Sequence, residues 1–204
     1  MFVSEKFKLV FFEVPRTGSN SITAALSEFD PESPTVITRS QVNVMADYHS
    51  FGIPENLSKP YTLFATHRNP YERLWSFWKH RHHNGNPSIF RETSWLKYVE
   101  WACDPNSVPE IKSAMLDVPI SEMFDCDDVD RWLRFESLVD TWQEFGEHYK
   151  LALPPLGVKQ SSRDMGEMQD AYDQKTAEMV AERFAQDFTR FNYSIDSWKT
   201  SDLS

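Results

Sequence analysis

The stretch Lys8 to Ala25, KLVFFEVPRTGSNSITAA, constrains the fold of this chain more than any other. Leu9 to Phe12 is an unbroken apolar run of β-forming residues, and Glu13 and Val14 carry it to the end of a strand buried on both faces. Pro15 stops the ladder, and Arg16 to Ser21 supply a cation, one glycine and four small polar side chains. Ile22, Ala25, Leu26 and Phe29 then recur at the spacing of an amphipathic helix. The turn is therefore a helix N-terminus behind a buried strand, where backbone N–H groups and the positive end of the helix dipole attract an anion. Gly18 lets the chain approach that anion, and the hydroxyls of Thr17, Ser19 and Ser21 add donors. A nucleoside-triphosphate loop wants G-x-x-x-x-G-K-[ST], and this turn has one glycine and no Gly-Lys pair, which weakens an ATPase reading. On this stretch alone, a plain helix cap formed by Thr17 to Asn20 stays open as the bland alternative.

A second junction of the same kind follows. Tyr61 to Thr66 reads as a strand, Asn69 is a good N-cap, and Pro70 fits the first helical position. Tyr71, Leu74, Trp75 and Trp78 form the buried stripe of that helix, and Ser76 lies away from it. Thr35 to Thr38 and Val129 to Phe135 are further strands. Trp95 to Ala102, Pro109 to Leu116, Glu136 to Lys150 and one long segment from Gln174, capped by Asp173, are helices. This alternation predicts an α/β fold, a single domain over residues 1–204 with a mainly parallel central sheet flanked by helices. Ligands of such sheets bind beyond the carboxyl ends of the strands, where Arg16 and Arg68 both fall.

The formal net charge of −10 opposes a general nucleic-acid or anionic-membrane binder. Asp104 to Glu147 holds twelve Asp and Glu against three Lys and Arg and reads as a solvated acidic face. Arg68 to Arg91 is the opposite, with five Lys and Arg against one Glu, which suggests a small anionic ligand. No apolar run approaches the roughly 20 residues of a membrane span, and MFVSEKFK lacks the features of a signal peptide, so the expected location is cytoplasmic. Cys103 and Cys126 have no metal-ligand spacing. His80, His82 and His83 sit near a helix C-terminus, where cations complement the dipole, and are not read as metal ligands. Trp75, Trp78, Trp95 and Trp101 are read as core in preference to a sugar-stacking platform.

Taken together, FFEVPRTGSNSI and FATHRNPYERLWSFW resemble the two phosphate motifs of sulfotransferases that use 3′-phosphoadenosine 5′-phosphosulfate, especially the carbohydrate branch. The first motif usually reads close to H-I-P-K-T-G-G-T-S in that branch. The segments RFESL at Arg134 to Leu138 and the tail from LPPL through YDQKTAEMVAERFAQDFTRFNY are similar to it as well. The resemblance implies that Arg16, Thr17, Gly18, Ser19, Asn20 and Ser21 hold the 5′-phosphosulfate. It also implies that Arg68 and Ser76, eight positions apart, hold the 3′-phosphate, with Lys159 to Arg163 as a late basic loop over the nucleotide. Arg16 replaces the family's lysine, keeping the charge in a bulkier planar fork, and Ser19-Asn20 stands where Gly-Thr is usual. His49, nineteen positions before Arg68, matches the family's general base, and Glu13 is the fallback. The implied reaction is sulfuryl transfer to a hydroxyl, of a sugar or polysaccharide by family likeness, with no metal. A phosphotransferase using ATP and magnesium and a non-catalytic nucleotide-binding module are the alternatives.

Overall fold

Leu9–Phe12 is buried along its whole length, as a strand without apolar–polar alternation must be when both its faces are covered. Around it the computed structural model describes residues 1–33, 35–36, 61–84, 88–90, 92–113, 115–123, 129–157 and 165–199. In chain order come β1 (Phe2–Ser4), β2 (Leu9–Phe12), α1 (Ser19–Phe29), β3 (Thr35–Val36), β4 (Thr62–His67), α2 (Pro70–Asn84), α3 (Trp95–Cys103) and α4 (Pro109–Ser113). They are followed by α5 (Ile120–Met123), β5 (Arg131–Arg134), α6 (Leu138–Tyr149), α7 (Met165–Ala171), α8 (Gln174–Arg183) and α9 (Ala185–Arg190). The chain divides into two compact units, Met1–His67 with Glu122–Gln160, and Arg68–Ser121 with Ser161–Ser204.

The first unit holds the sheet, in the order β3-β1-β2-β4-β5. The expected α/β architecture is present. β2, β4 and β5 are parallel, with Phe12 opposite Ala65 and His67 opposite Arg134, so their carboxyl ends share one edge. β1 and β3 widen the sheet on the β2 side as antiparallel neighbours. β1 returns through a turn at Glu5–Lys8, in which Lys8 takes a φ of 54°. One face of the sheet is covered by Ile22, Ala25 and Leu26 of α1 and by Trp142 and Phe145 of α6. Phe64 anchors this layer, with its ring centroid 5.0 Å from Phe11 and 4.4 Å from Phe145. Trp142 also donates its indole N–H to the carbonyl of Pro154 at 2.9 Å, which fastens the segment after α6.

The second unit is helical. Tyr71, Leu74 and Phe77 of α2, Tyr98 and Val99 of α3, and Ala177 and Val180 of α8 form its core. Trp75, Trp78, Trp95 and Trp101 pack against that core half-buried, as the reading of them as core residues anticipated. Arg73 is buried as well, and it donates to the carbonyls of Met115 at 2.8 Å and Val118 at 3.1 Å. The long helix predicted from Gln174 is two helices. Asp173 caps the first as expected, accepting from the Thr176 N–H at 2.8 Å, but the helix ends at Phe184. The break turns α9 so that Asp187 accepts the backbone N–H groups of Ile120 and Ser121 at 2.8 and 2.7 Å. A buried acceptor with two backbone donors outweighs the small cost of interrupting a helix.

Candidate functional site

The first junction is built from backbone. Beyond β2 the chain passes buried Val14 and half-buried Pro15, and Arg16 takes a φ of 67° and Gly18 a φ of 83°. A left-handed conformation costs a residue with a side chain roughly 1–2 kcal/mol, a cost that Lys8, Met115, Lys150 and Asn192 also carry. Gly18 tolerates the conformation, and any other residue there would be strained. A Cβ there would lie 2.7 Å from Cδ2 of Leu138 and 3.0 Å from Cδ2 of Phe135. The RFESL segment thus packs directly on the loop. α1 starts at Ser19 with Gly18 as its N-cap and, among the described residues, no side chain caps it and no acidic residue occupies its first turn. The plain-cap alternative therefore lacks its capping side chain among the described residues. Arg16, Ser19 and Ser21 are half-buried and Asn20 is exposed.

Thr17 differs from the expectation for its hydroxyl. Fully buried, it donates to the carbonyl of Val14 at 2.9 Å and shares a short hydrogen bond with the Thr66 hydroxyl. It ties the loop to the end of β4, so its hydroxyl is engaged with partners inside the protein. Glu13 is half-buried and accepts from the Thr23 hydroxyl at 2.8 Å.

Side chains build the second junction. Asn69 behaves as the predicted cap: its Oδ1 accepts from the Tyr71 N–H at 3.0 Å and its carbonyl from the Arg73 N–H at 2.9 Å. Its Nδ2 donates to the Ser197 hydroxyl at 2.8 Å, and the Tyr71 hydroxyl donates to the carbonyl of Ile195 at 2.9 Å. The tail thereby grips the start of α2. Arg68 is buried and donates through Nε and Nη2 to Oε2 of Glu72, at 3.2 and 2.9 Å. Ser76, half-buried, follows Glu72 by four residues on the same helix face. Two of the described cations expected to cluster around Arg68 have partners of their own. Arg73 is structural, and Lys79 pairs with Glu167 at 2.6 Å.

The sulfotransferase family's sequence profile matches residues 1–151, a span that includes both junctions, β5 and α6. The chain belongs to the sulfotransferase family. Comparison with curated proteins and with solved structures returns no match. Membership makes the protein a transferase of sulfuryl groups with a hydroxyl-bearing acceptor.

One feature of this sulfotransferase was not singled out in the sequence. His67, the last residue of β4, is buried beside Trp132, its ring centroid 6.3 Å away in an edge-on arrangement. Burial, with a smaller contribution from the positive charge of Arg134, holds its pKa down to about 3. Its imidazole is neutral near pH 7 and a poor proton acceptor. The signal was present in the motif THRNP, but burial of a histidine depends on neighbouring strands that the sequence does not pair. Arg134 itself lies 3.7 Å from the carboxylate of Glu136. His49, Lys159 and Arg163 lie outside the described residues. Among the described residues no group of three or more His, Cys, Asp or Glu could hold a metal ion, and no helix is long and apolar enough to cross a membrane.

Proposed function

We propose that this sulfotransferase takes its sulfuryl group from 3′-phosphoadenosine 5′-phosphosulfate and delivers it to a carbohydrate hydroxyl by in-line displacement. The acceptor oxygen forms a bond to sulfur as the bond from sulfur to the bridging phosphate oxygen breaks. The electron pair leaves with that oxygen, giving adenosine 3′,5′-bisphosphate, and the hydroxyl proton passes to His49. Arg16 offsets the negative charge growing on the bridging oxygen, with the N–H groups of Thr17, Gly18, Ser19 and Asn20 and the Ser21 hydroxyl around the phosphosulfate. Arg68 and Ser76 take the 3′-phosphate, and Lys159 and Arg163 close over the nucleotide. The observation that carries the reading is the start of α1 without a side-chain cap, behind a glycine in a left-handed conformation that strains any other residue. A cation two residues before that glycine adds to it.

Calorimetry with adenosine 3′,5′-bisphosphate, adenosine 5′-monophosphate and ATP plus magnesium tests the donor. The bisphosphate is expected to bind best, and Arg68→Ala is expected to remove most of its advantage over the monophosphate, roughly 10- to 100-fold for a charge-assisted contact. Equal affinities would remove the 3′-phosphate assignment, and preference for ATP with magnesium would favour the phosphotransferase alternative. Turnover of labelled donor separates an enzyme from a binding module. With donor saturating, His49→Ala is expected to lower single-turnover transfer about 10²- to 10⁴-fold while leaving bisphosphate affinity unchanged. A wild-type rate would move the base to Glu13 or solvent.

A further inference from the structure

Arg68, Glu72 and Ser76 are spaced four residues apart, and a carboxylate therefore stands between the two residues assigned above to the 3′-phosphate. Its side chain is 3% exposed and that of Arg68 8%. Helix capping does not account for it. Asn69 already caps α2, and an acid at the third helical position would ordinarily turn back to the N–H of the cap. Glu72 turns to Arg68 instead, taking two of the five guanidinium N–H donors through a single oxygen, Oε2. A phosphate arriving at Arg68 thus meets a cation already neutralised by a carboxylate in the first turn of the helix that follows it.

We propose that Glu72 is a built-in competitor of the 3′-phosphate for Arg68. It holds the guanidinium in the empty site and weakens the grip of Arg68 on the nucleotide, so that adenosine 3′,5′-bisphosphate leaves after transfer. The inference rests on the assignment of Arg68 to the 3′-phosphate. Its energetic logic is that of a buried ion pair: removing one partner leaves a charge whose burial is costly, and an incoming anion recovers that cost on binding. Glu72 therefore acts on the nucleotide through Arg68 and is a positioning residue.

Glu72→Gln tests this, because the amide keeps the shape and loses the charge. The expected result is bisphosphate affinity higher by about tenfold in calorimetry and release slower by about tenfold in stopped flow, with affinity for adenosine 5′-monophosphate unchanged. The empty variant should melt lower than wild type, and bisphosphate should raise its melting temperature by more. Affinity equal to or below wild type overturns the proposal. The double variant Arg68→Ala/Glu72→Gln removes both members of the pair and serves where the single variant does not fold. It should bind bisphosphate no better than Arg68→Ala, and a tighter double variant would mean that Glu72 acts on the phosphate directly, which also overturns it. Wild-type protein that binds the two nucleotides alike would fail the assignment of Arg68 itself. Wild-type selectivity with no gain in Glu72→Gln would fail only the competitor.

Discussion

The two strand-to-helix junctions look alike in sequence and are made from different materials. At Arg16–Ser21 the chain relies on backbone: two left-handed residues, an uncapped helix, and a glycine pressed against Phe135 and Leu138. At Arg68–Ser76 it relies on side chains, with Asn69 capping the helix and Glu72 holding a buried arginine. A backbone site has its donors fixed by the fold and tolerates no Cβ at the wrong place. A side-chain site can lose one group and keep its shape, so its recognition is separable from its stability. The same class of ligand, an anionic phosphate, can be met by either route.

The sharpest way to break this contrast is Gly18→Ala. The left-handed backbone and the contact with Leu138 together should cost about 2–5 kcal/mol, a fall of roughly 5–20 °C in Tm for a chain of this size, with donor binding lost in parallel. Differential scanning calorimetry reads it directly. A melting temperature within about 2 °C of wild type would mean that the loop adapts, and that the first junction is no more backbone-bound than the second.

How much of this was open to reading from sequence follows the same line. β2, β4 and the caps Asn69 and Asp173 were legible because each depends on residues within a few positions: a buried run, or a polar side chain just before a helix. β1 was missed, since three residues carry no usable periodicity and its strand character comes from pairing with β2 and β3. The break at Phe184 was missed for a related reason, because the benefit lies in Asp187 reaching Ile120 and Ser121, more than sixty positions upstream. In the site, the residue types of both junctions were legible. The inward commitment of Thr17 to Thr66, the pressure of Leu138 on Gly18 and the burial of His67 were not, since all three are contacts between strands or layers.

His67 sharpens the comparison from the unit that holds the first junction. Its folded pKa of about 3 lies below the ordinary value of 6.5, so between those limits the unfolded chain binds the extra proton. Its contribution is fully present above about pH 6.5 and is lost as pH falls towards 3, by up to a few kcal/mol. Urea midpoints measured at pH 7 and pH 5 should therefore drop more in the wild type than in His67→Gln. Parallel slopes for the two proteins would show that burial of this imidazole carries no such linkage, and that the end of β4 is more open to water than its packing against Trp132 implies.

The smallest expected effect is also the one that tests the second junction's independence. In Asn69→Ala the helix loses the acceptor for the Tyr71 N–H and the tail loses the donor to Ser197, while the backbone bond from the Arg73 N–H to the carbonyl of residue 69 stays. Loss of such a cap costs about 1 kcal/mol, and the half-buried contact with Ser197 adds a fraction of that. The expected fall in Tm is roughly 2–4 °C. Bisphosphate affinity should change by less than about threefold, because the pair Arg68–Glu72 does not include the cap. Asn69→Asp separates the two bonds: it keeps the capping acceptor and removes the donor to Ser197, so it should recover most of the lost stability. If Asn69→Ala instead unfolded the protein or abolished bisphosphate binding as Gly18→Ala is expected to do, the second junction would depend on its frame as completely as the first. The division between a site made of backbone and a site made of side chains would then not hold.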